Sequence, residues 1–98
     1  SDAPVILFAL DADGVYTVAD GRGLDLLGTT SREIVGTSCF ERFADEPAVL
    51  EPLKRALQGE EQTILYESDG LRWENRLTPV VDDSGRPAGV MIPLTLPW

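Results

Sequence analysis

The segment 62–92 constrains the fold of this chain most, because its pattern predicts three β-strands joined by two tight turns. Apolar, β-branched or aromatic residues flank Asp69-Gly70 and again flank Ser84-Gly85. A turn dipeptide between two such runs is typical of a β-hairpin. The segment is therefore predicted to form an antiparallel meander.

The Asp69-Gly70 turn also determines which side chains share a face of that meander. With these two residues at the centre of the turn, Tyr66 lies opposite Trp73 and Glu67 lies opposite Arg72. One face then carries apolar and aromatic side chains and one amide: Ile64, Tyr66, Trp73, Asn75 and Leu77. The other face carries the charged residues Glu67, Arg72, Glu74 and Arg76. The apolar face needs a cover, which the rest of the chain has to supply.

Composition narrows the class of protein. The 98 residues suffice for one domain with a single core, and no apolar run approaches the roughly 20 residues of a membrane span. A net charge of −9 with scattered cations argues against binding to nucleic acid or to an anionic membrane. The single cysteine, Cys39, cannot form an internal disulfide, which favours a reducing compartment and hence the cytoplasm.

Two strands are predicted before the meander. Residues 5–10, VILFAL, are apolar at every position, as in a strand covered on both faces in the interior of a sheet. The turn 11–14 leads to a short β-branched strand at 15–18, so the chain is expected to open with a β-hairpin.

The segment that follows the hairpin changes to short helical patterns. Asp20 is positioned to cap a short helix that ends at Gly28. Thr30 followed by Glu33 has the spacing of a capping box, and another short helix is expected around 39–43. These pieces are predicted to lie on one side of the sheet.

The longest helix is predicted over 45–59, where apolar residues recur every three or four positions. Because proline is costly in a helix interior, this helix is expected either to begin near Pro52 or to have a loose first turn. The order of two strands, several helices and three strands predicts an α+β fold. It consists of one five-stranded antiparallel sheet with the helices packed on one face.

Four stretches of the sequence carry a resemblance to a known family. They are LFALDADGVYTVAD, LDLLGTTSREIVGTSCFERFADEP, LKRALQGE and LRWENRLTPVVDDSGRPAGVMI. Together they span nearly the whole chain and resemble a PAS domain, in that family's order and spacing. The resemblance implies a single domain over 1–98 with strand order 2-1-5-4-3. It also implies a cytoplasmic sensory or interaction module of a bacterial or archaeal signalling protein, such as a histidine kinase of a two-component system.

The last residues depart from the family pattern. Where the family often continues into a coiled-coil signalling helix, this sequence has Pro93-Leu-Thr-Leu-Pro-Trp98. Because proline removes a hydrogen bond from the ladder, regular strand pairing is expected to end near Ile92. The departure suggests either a domain taken from a longer signalling protein or a domain that works alone.

The sequence lacks the combinations of residues that common catalytic sites need. The chain contains no histidine, which excludes a Ser-His-Asp or Cys-His arrangement. The aspartates near turns are expected to make local hydrogen bonds, and no metal-binding spacing is complete. We therefore expect no catalytic residue, no metal site and no enzymatic activity of the domain by itself.

The resemblance leaves the cofactor unknown but narrows the choice. Haem-binding members use a histidine ligand on the long helix, so His-ligated haem is excluded here. In flavin-binding members the reactive cysteine lies in Gly-x-Asn-Cys-Arg-Phe-Leu-Gln, whereas Cys39 lies in the run Gly-Thr-Ser-Cys-Phe-Glu-Arg-Phe. Met91 stands about where those members have a glutamine that contacts the flavin. Flavin is therefore not expected, and Cys39 is interpreted as a small buried hydrophobe.

The resemblance places a small-molecule pocket between the inner face of the sheet and the long helix. Its candidate lining is Phe40, Phe43, Leu53, Leu57, Ile64, Tyr66, Trp73, Asn75, Leu77 and Met91. An ordinary hydrophobic core has the same composition, so a ligand pocket and a plain core both remain open. Asn75 favours the pocket, because a buried amide needs partners and could, with Tyr66, bind a polar group on a mostly apolar ligand.

The outer face of the meander gives a second hypothesis, an interaction surface. Faces that the helices leave uncovered commonly serve the family for dimerisation or for docking of neighbouring helices. The candidate interface for a homodimer or a neighbouring signalling domain is Thr63, Leu65, Glu67, Arg72, Glu74 and Arg76. A solvated face would explain the charges equally well.

Overall fold

The computed structural model describes residues 5–96, so the domain predicted over 1–98 extends past the described residues at both ends. The strands are β1 (Val5–Asp11), β2 (Tyr16–Asp20), β3 (Gln62–Ser68), β4 (Leu71–Val81) and β5 (Pro87–Thr95). Between β2 and β3 lie a 3₁₀ helix (Arg22–Leu27) and the helices α1 (Ser31–Ile34), α2 (Cys39–Arg42) and α3 (Pro47–Leu57). This order of elements is the predicted α+β arrangement.

The five strands form one antiparallel sheet in the order β2-β1-β5-β4-β3, as predicted. Strand β1 is interior, between β2 and β5, which confirms the expectation from its apolar run. The further expectation that both of its faces are covered is wrong in part. Ile6, Phe8 and Leu10 enter the core, whereas Val5 on the other face is 51% exposed because the helices pack on the inner face only.

The predicted register of the meander is confirmed residue by residue. Tyr66 pairs with Trp73, and Glu67 pairs with Arg72. The hairpin closes through Asp69 at φ 50° and Gly70 at φ 77°. Positive φ at both central residues is the type I′ geometry that matches the twist of the flanking strands. The turn therefore places Asn75 on the inner face and the charged residues of β4 on the outer face.

Strand β5 continues past the point where pairing was expected to stop. Its register with β1 runs without a break through Leu7–Pro93 to Val5–Thr95. Its register with β4 passes from Thr78–Met91 to Asn75–Leu94, omitting the positions between. The hydrogen bond that proline cannot donate is therefore lost on the β4 side alone, and the ladder resumes beyond it.

The helices confirm most of the capping predictions. Thr30 caps α1 by accepting a hydrogen bond from the backbone N–H of Glu33 at 3.2 Å. Asp20, however, ends β2, and its carboxylate accepts from the N–H of Gly21, which is itself the N-cap of the 3₁₀ helix. Gly28 ends that helix in the left-handed conformation, as predicted.

Helix α3 begins at Pro47, so of the two alternatives for this segment, a start near Pro52 or a loose first turn, the first is wrong. Proline suits the first turn, where its missing N–H has no intrahelical partner to lose. Pro52 lies inside the helix, where one intrahelical hydrogen bond is absent. The apolar stripe of α3 nevertheless buries Val49, Leu53 and Ala56 against the sheet.

The tightest part of the core lies where the 3₁₀ helix meets the sheet. Trp73 is 0% exposed, and Ile6 is also fully buried. A Cβ placed on Gly23 would lie 2.8 Å from Ile6 Cγ1 and 3.1 Å from Trp73 Cη2. Glycine is thus required for the close approach of the helix to the fully buried indole.

Candidate ligand pocket and outer sheet face

A cavity of about 270 Å³ lies between the inner face of the sheet and the helices. The sheet contributes Phe8, Tyr16, Ile64, Tyr66, Ser68, Asn75, Leu77, Ile92 and Leu94 to its walls. The helices and their connections contribute Leu27, Arg42, Phe43, Glu46, Val49 and Leu53. The walls are mostly apolar with a few polar groups, and a volume near 300 Å³ is at the small end of ligand pockets.

Six of the ten residues predicted for the pocket line this cavity. They are Phe43, Leu53, Ile64, Tyr66, Asn75 and Leu77. The register of the meander and the stripe of the long helix bring them together, as the sequence indicated. Phe43 and Tyr66 form one aromatic corner, with ring centroids 6.1 Å apart in an edge-to-face arrangement.

The other four predicted residues do not line the cavity. Trp73 is sealed beneath the 3₁₀ helix, and Leu57 packs half-buried against the core at the end of α3. Phe40 packs against Gly14, where its ring would lie 2.5 Å from an added Cβ. Met91 is on the outer face and 38% exposed, because strand alternation places its neighbours Val90 and Ile92 inward.

Asn75 has one end of its amide fixed by the backbone. Its Nδ2 donates to the carbonyl oxygens of Trp73 at 3.2 Å and Ile64 at 3.4 Å. Two carbonyl acceptors fix the amide orientation, since Oδ1 in that place would face two oxygens. Within residues 5–96, Oδ1 has no hydrogen-bond partner and is not a sealed atom. Asn75 therefore offers an acceptor to the cavity.

Tyr16 and Arg42 are cavity residues that the sequence did not identify. Tyr16 is 3% exposed, and its ring lies 5.4 Å from the ring of Phe8 in an edge-to-face contact. The guanidinium of Arg42 lies 6.0 Å from the centroid of the Tyr16 ring. Burial raises the pKa of the Tyr16 hydroxyl, so this group stays protonated and can donate a hydrogen bond.

Cys39 is fully buried and is not part of the cavity wall. Burial is the main cause that raises the pKa of its thiol to about 11. Cys39 therefore does not offer a reactive thiolate at the cavity wall, which is what a flavin adduct needs. Haem with an axial histidine does not fit either, because the sequence contains no histidine. In the part of the chain that the structure describes, no cluster of metal-ligating side chains is present.

The outer face carries several exposed apolar side chains that are interspersed with polar ones. Leu65 is 68% exposed, and its neighbours across the sheet on this face are Glu74, Thr95 and Val5. The outer positions of the meander are those predicted: Thr63, Leu65, Glu67, Arg72, Glu74 and Arg76. Val18 and Met91 are further exposed apolar residues on the other strands.

The sequence matches the family model for the PAS fold over residues 1–95. The chain belongs to the PAS fold family. No curated protein sequence matches it. A PAS domain is a sensory module that is not catalytic by itself, so this PAS domain is not an enzyme on its own.

Solved PAS structures resemble this PAS domain over most of its length. The PAS domain of histidine kinase ThkA has a TM-score of 0.72 at 18% identity, covering 94% of this chain and 98% of that one. A sensory box sensor histidine kinase from Vibrio cholerae has a TM-score of 0.69 at 11% identity, with 93% and 80% covered. The Aer2 receptor from Vibrio cholerae, a dual PAS-haem oxygen sensor, has a TM-score of 0.67 at 19% identity, with 96% and 95% covered. At these identities the likeness shows the fold alone.

None of the helices described over 5–96 has the length and apolar character needed to cross a membrane.

Proposed function

We propose that this PAS domain is the sensory module of a cytoplasmic signal-transduction protein such as a histidine kinase, and that it detects a small, mostly apolar molecule. The observation that carries the proposal is the cavity of about 270 Å³, whose apolar walls hold one amide with an unused acceptor. In a plain core, such space is filled and such groups are paired.

In our proposal, Asn75 and Tyr66 form hydrogen bonds with the polar group of this ligand. Both line the cavity, on paired strands, and the backbone contacts of Asn75 hold its amide in one orientation. A fixed acceptor in an apolar wall gives orientation and specificity, while the apolar walls supply most of the affinity.

The cavity is also suited to relay a signal, because both layers of the fold contribute to its walls. Val49 and Leu53 come from α3, whereas Ile64 and Leu77 come from the sheet. A ligand that fits one spacing of the two layers better than another shifts the population towards it, and a neighbouring output domain can respond to that shift.

Native mass spectrometry of the purified domain, together with a melting screen against small molecules, tests the sensory function. We expect a retained or added compound to bind the wild type and raise its melting temperature, and Asn75→Leu to lose that shift. A domain that neither retains nor binds any small molecule would contradict the proposal, as would an unchanged shift in Asn75→Leu.

The exposed apolar residues of the outer face favour a second function, an interaction module that pairs two copies or docks a neighbouring signalling domain. Leu65 is 68% exposed with charged residues on the flanking positions, an arrangement suited to an interface with a polar rim. Sedimentation at high concentration tests it. The interaction function predicts association that Leu65→Asp abolishes, and a chain that stays monomeric throughout would count against it.

A further inference from the structure

Tyr16 and Asn75 have hydrogen-bonding capacity left over inside the cavity, and they lie far apart along it. Tyr16 is on β2 and Asn75 is on β4, with β1 and β5 between them. At about 4.8 Å between neighbouring strands, their backbones are at least roughly 14 Å apart. A ligand that meets both side chains therefore needs polar groups at opposite ends.

The Tyr16 hydroxyl is unpaired although the residue is nearly fully buried. Within residues 5–96 it has no hydrogen-bond partner, yet it is not sealed from solvent as the unpaired Nε1 of Trp73 is. Tyr16 lines the cavity, and we take its hydroxyl as a group that faces the cavity. It is a neutral donor there.

Arg42 adds a second donor at the same end. Its guanidinium lies 6.0 Å from the Tyr16 ring, and it also lines the cavity. Among the described side chains, no carboxylate forms an ion pair with it. A donor hydroxyl and an unpaired guanidinium on one wall are suited to an anionic oxygen.

The opposite end offers an acceptor only. The Asn75 Nδ2 donates to two backbone carbonyls, so Oδ1 is the atom left for a ligand. An N–H or O–H group of the ligand satisfies it.

Two features of the chain disfavour the binding of an anionic ligand. Glu46 lines the same cavity, and the chain carries a net charge of −9. Like charges within a Debye length of about 8 to 10 Å repel the ligand, so the contacts with Tyr16 and Arg42 must outweigh that repulsion.

We propose that the pocket takes a small aromatic carboxylic acid with a hydrogen-bond donor at its far end. The carboxylate accepts from the Tyr16 hydroxyl and the Arg42 guanidinium, and the donor meets Asn75 Oδ1. Since a cavity of about 150 Å³ holds one benzene, the volume here fits a body of about two fused rings. This inference rests on the proposed function, that the cavity binds a ligand.

Calorimetric titration of the 98-residue chain with four related indoles tests the ligand class. The first is an indole with a carboxylate on its benzo ring, and the others are its carboxamide, its aminomethyl analogue and its N-methyl acid. We expect the acid to bind at least about tenfold more tightly than the carboxamide, because a charge-assisted hydrogen bond is stronger than a neutral one. The N-methyl acid, which lacks the donor, should bind about fivefold more weakly than the acid.

Variants of the charged residues give the sign of the ligand charge. Arg42→Gln should weaken the acid about tenfold, and Glu46→Gln should strengthen it about twofold to fivefold. Tyr16→Phe should weaken the acid about fivefold with little effect on folding, since the hydroxyl has no partner in the described chain. Arg55→Gln, an equal charge change on an exposed residue outside the cavity wall, should leave binding unchanged.

The outcomes separate the two proposals. If the carboxamide or the aminomethyl compound binds as well as the acid, or if Arg42→Gln and Glu46→Gln have equal effects on the acid, the ligand class is overturned while the pocket function stands. If none of the four compounds binds, the ligand class is likewise overturned. If the screen described for the proposed function also finds no ligand, the sensory function fails with it.

Discussion

Trp73 and Asn75 are two residues apart on the same face of β4, yet the inner face is closed at the first and open at the second. At Trp73, Gly23 brings the 3₁₀ helix into contact with the indole. At Asn75, a shorter side chain faces the side chains of α3, which leave a cavity between them. The comparison teaches that free space in this core is local, and that it depends on which helix covers which position.

The two positions also differ in how their polar groups are treated. Asn75 has its N–H groups satisfied by the backbone and an open acceptor, whereas Trp73 Nε1 is buried without a partner among residues 5–96. An unpaired buried N–H costs about 1–3 kcal/mol. At Trp73 the burial of the large ring offsets that cost. At Asn75 the unpaired oxygen stays accessible from the cavity.

The largest effect that sharpens this comparison is expected from Trp73→Ala. Removing a fully buried indole should cost about 3–5 kcal/mol of unfolding free energy, through lost burial and an unfilled cavity. Urea unfolding of the variant measures it. Trp73→Phe is the matched control and should cost clearly less, since it keeps an aromatic ring and removes the unpaired N–H. A loss below about 1 kcal/mol for Trp73→Ala would contradict the closed packing.

A pair of identical substitutions compares the closed and open regions directly. Val90 is fully buried away from the cavity, so Val90→Phe should destabilise by about 1–3 kcal/mol through overpacking. Val49 lines the cavity, so Val49→Phe can extend into it and should cost less than about 0.5 kcal/mol, or stabilise. Thermal and urea unfolding of both variants gives the difference. Equal losses would mean that the cavity is absent in solution.

A smaller effect is expected from the thiol of Cys39, which belongs to the closed region. Burial raises the thiol pKa to about 11, so the folded state favours the protonated form. Stability from this group is full below the pKa of the unfolded thiol, about 8.5, and is lost as the pH rises towards 11. Alkylation at pH 8 should therefore be slow in the native chain and fast in urea. Rapid native labelling at pH 8 would indicate that this region opens.

The sequence predicted the sheet and six of the fifteen residues that line the cavity, because the information for these parts is local. The Asp69-Gly70 turn determines the register of β3 and β4, and strand alternation then places Ile64, Asn75 and Leu77 inward. Met91 lies on the outer face because β5 alternates, whereas the family resemblance implies a position on the inner face. For that strand, the burial of Val90 and Ile92 was the better guide.

The rest of the site depends on how separate elements come together. Tyr16 belongs to a short strand, and Arg42 lies at the end of a short helix, so neither has a periodic pattern that points to the cavity. The prediction that strand pairing ends near Ile92, which rested on Pro93, is wrong for a related reason. Whether a proline interrupts a strand depends on which neighbour its missing N–H would face, and that follows from sheet order rather than from the local sequence.

The most direct test of the sensory pocket is a protein-detected NMR screen of small molecules against the wild type and Val49→Phe. We predict that bound compounds shift the amide signals of Leu53, Tyr66 and Asn75 in the wild type, and that Val49→Phe abolishes these shifts while it stays folded. If no compound moves these signals, or if the same shifts persist in Val49→Phe, the cavity is not a ligand site and the sensory account is contradicted.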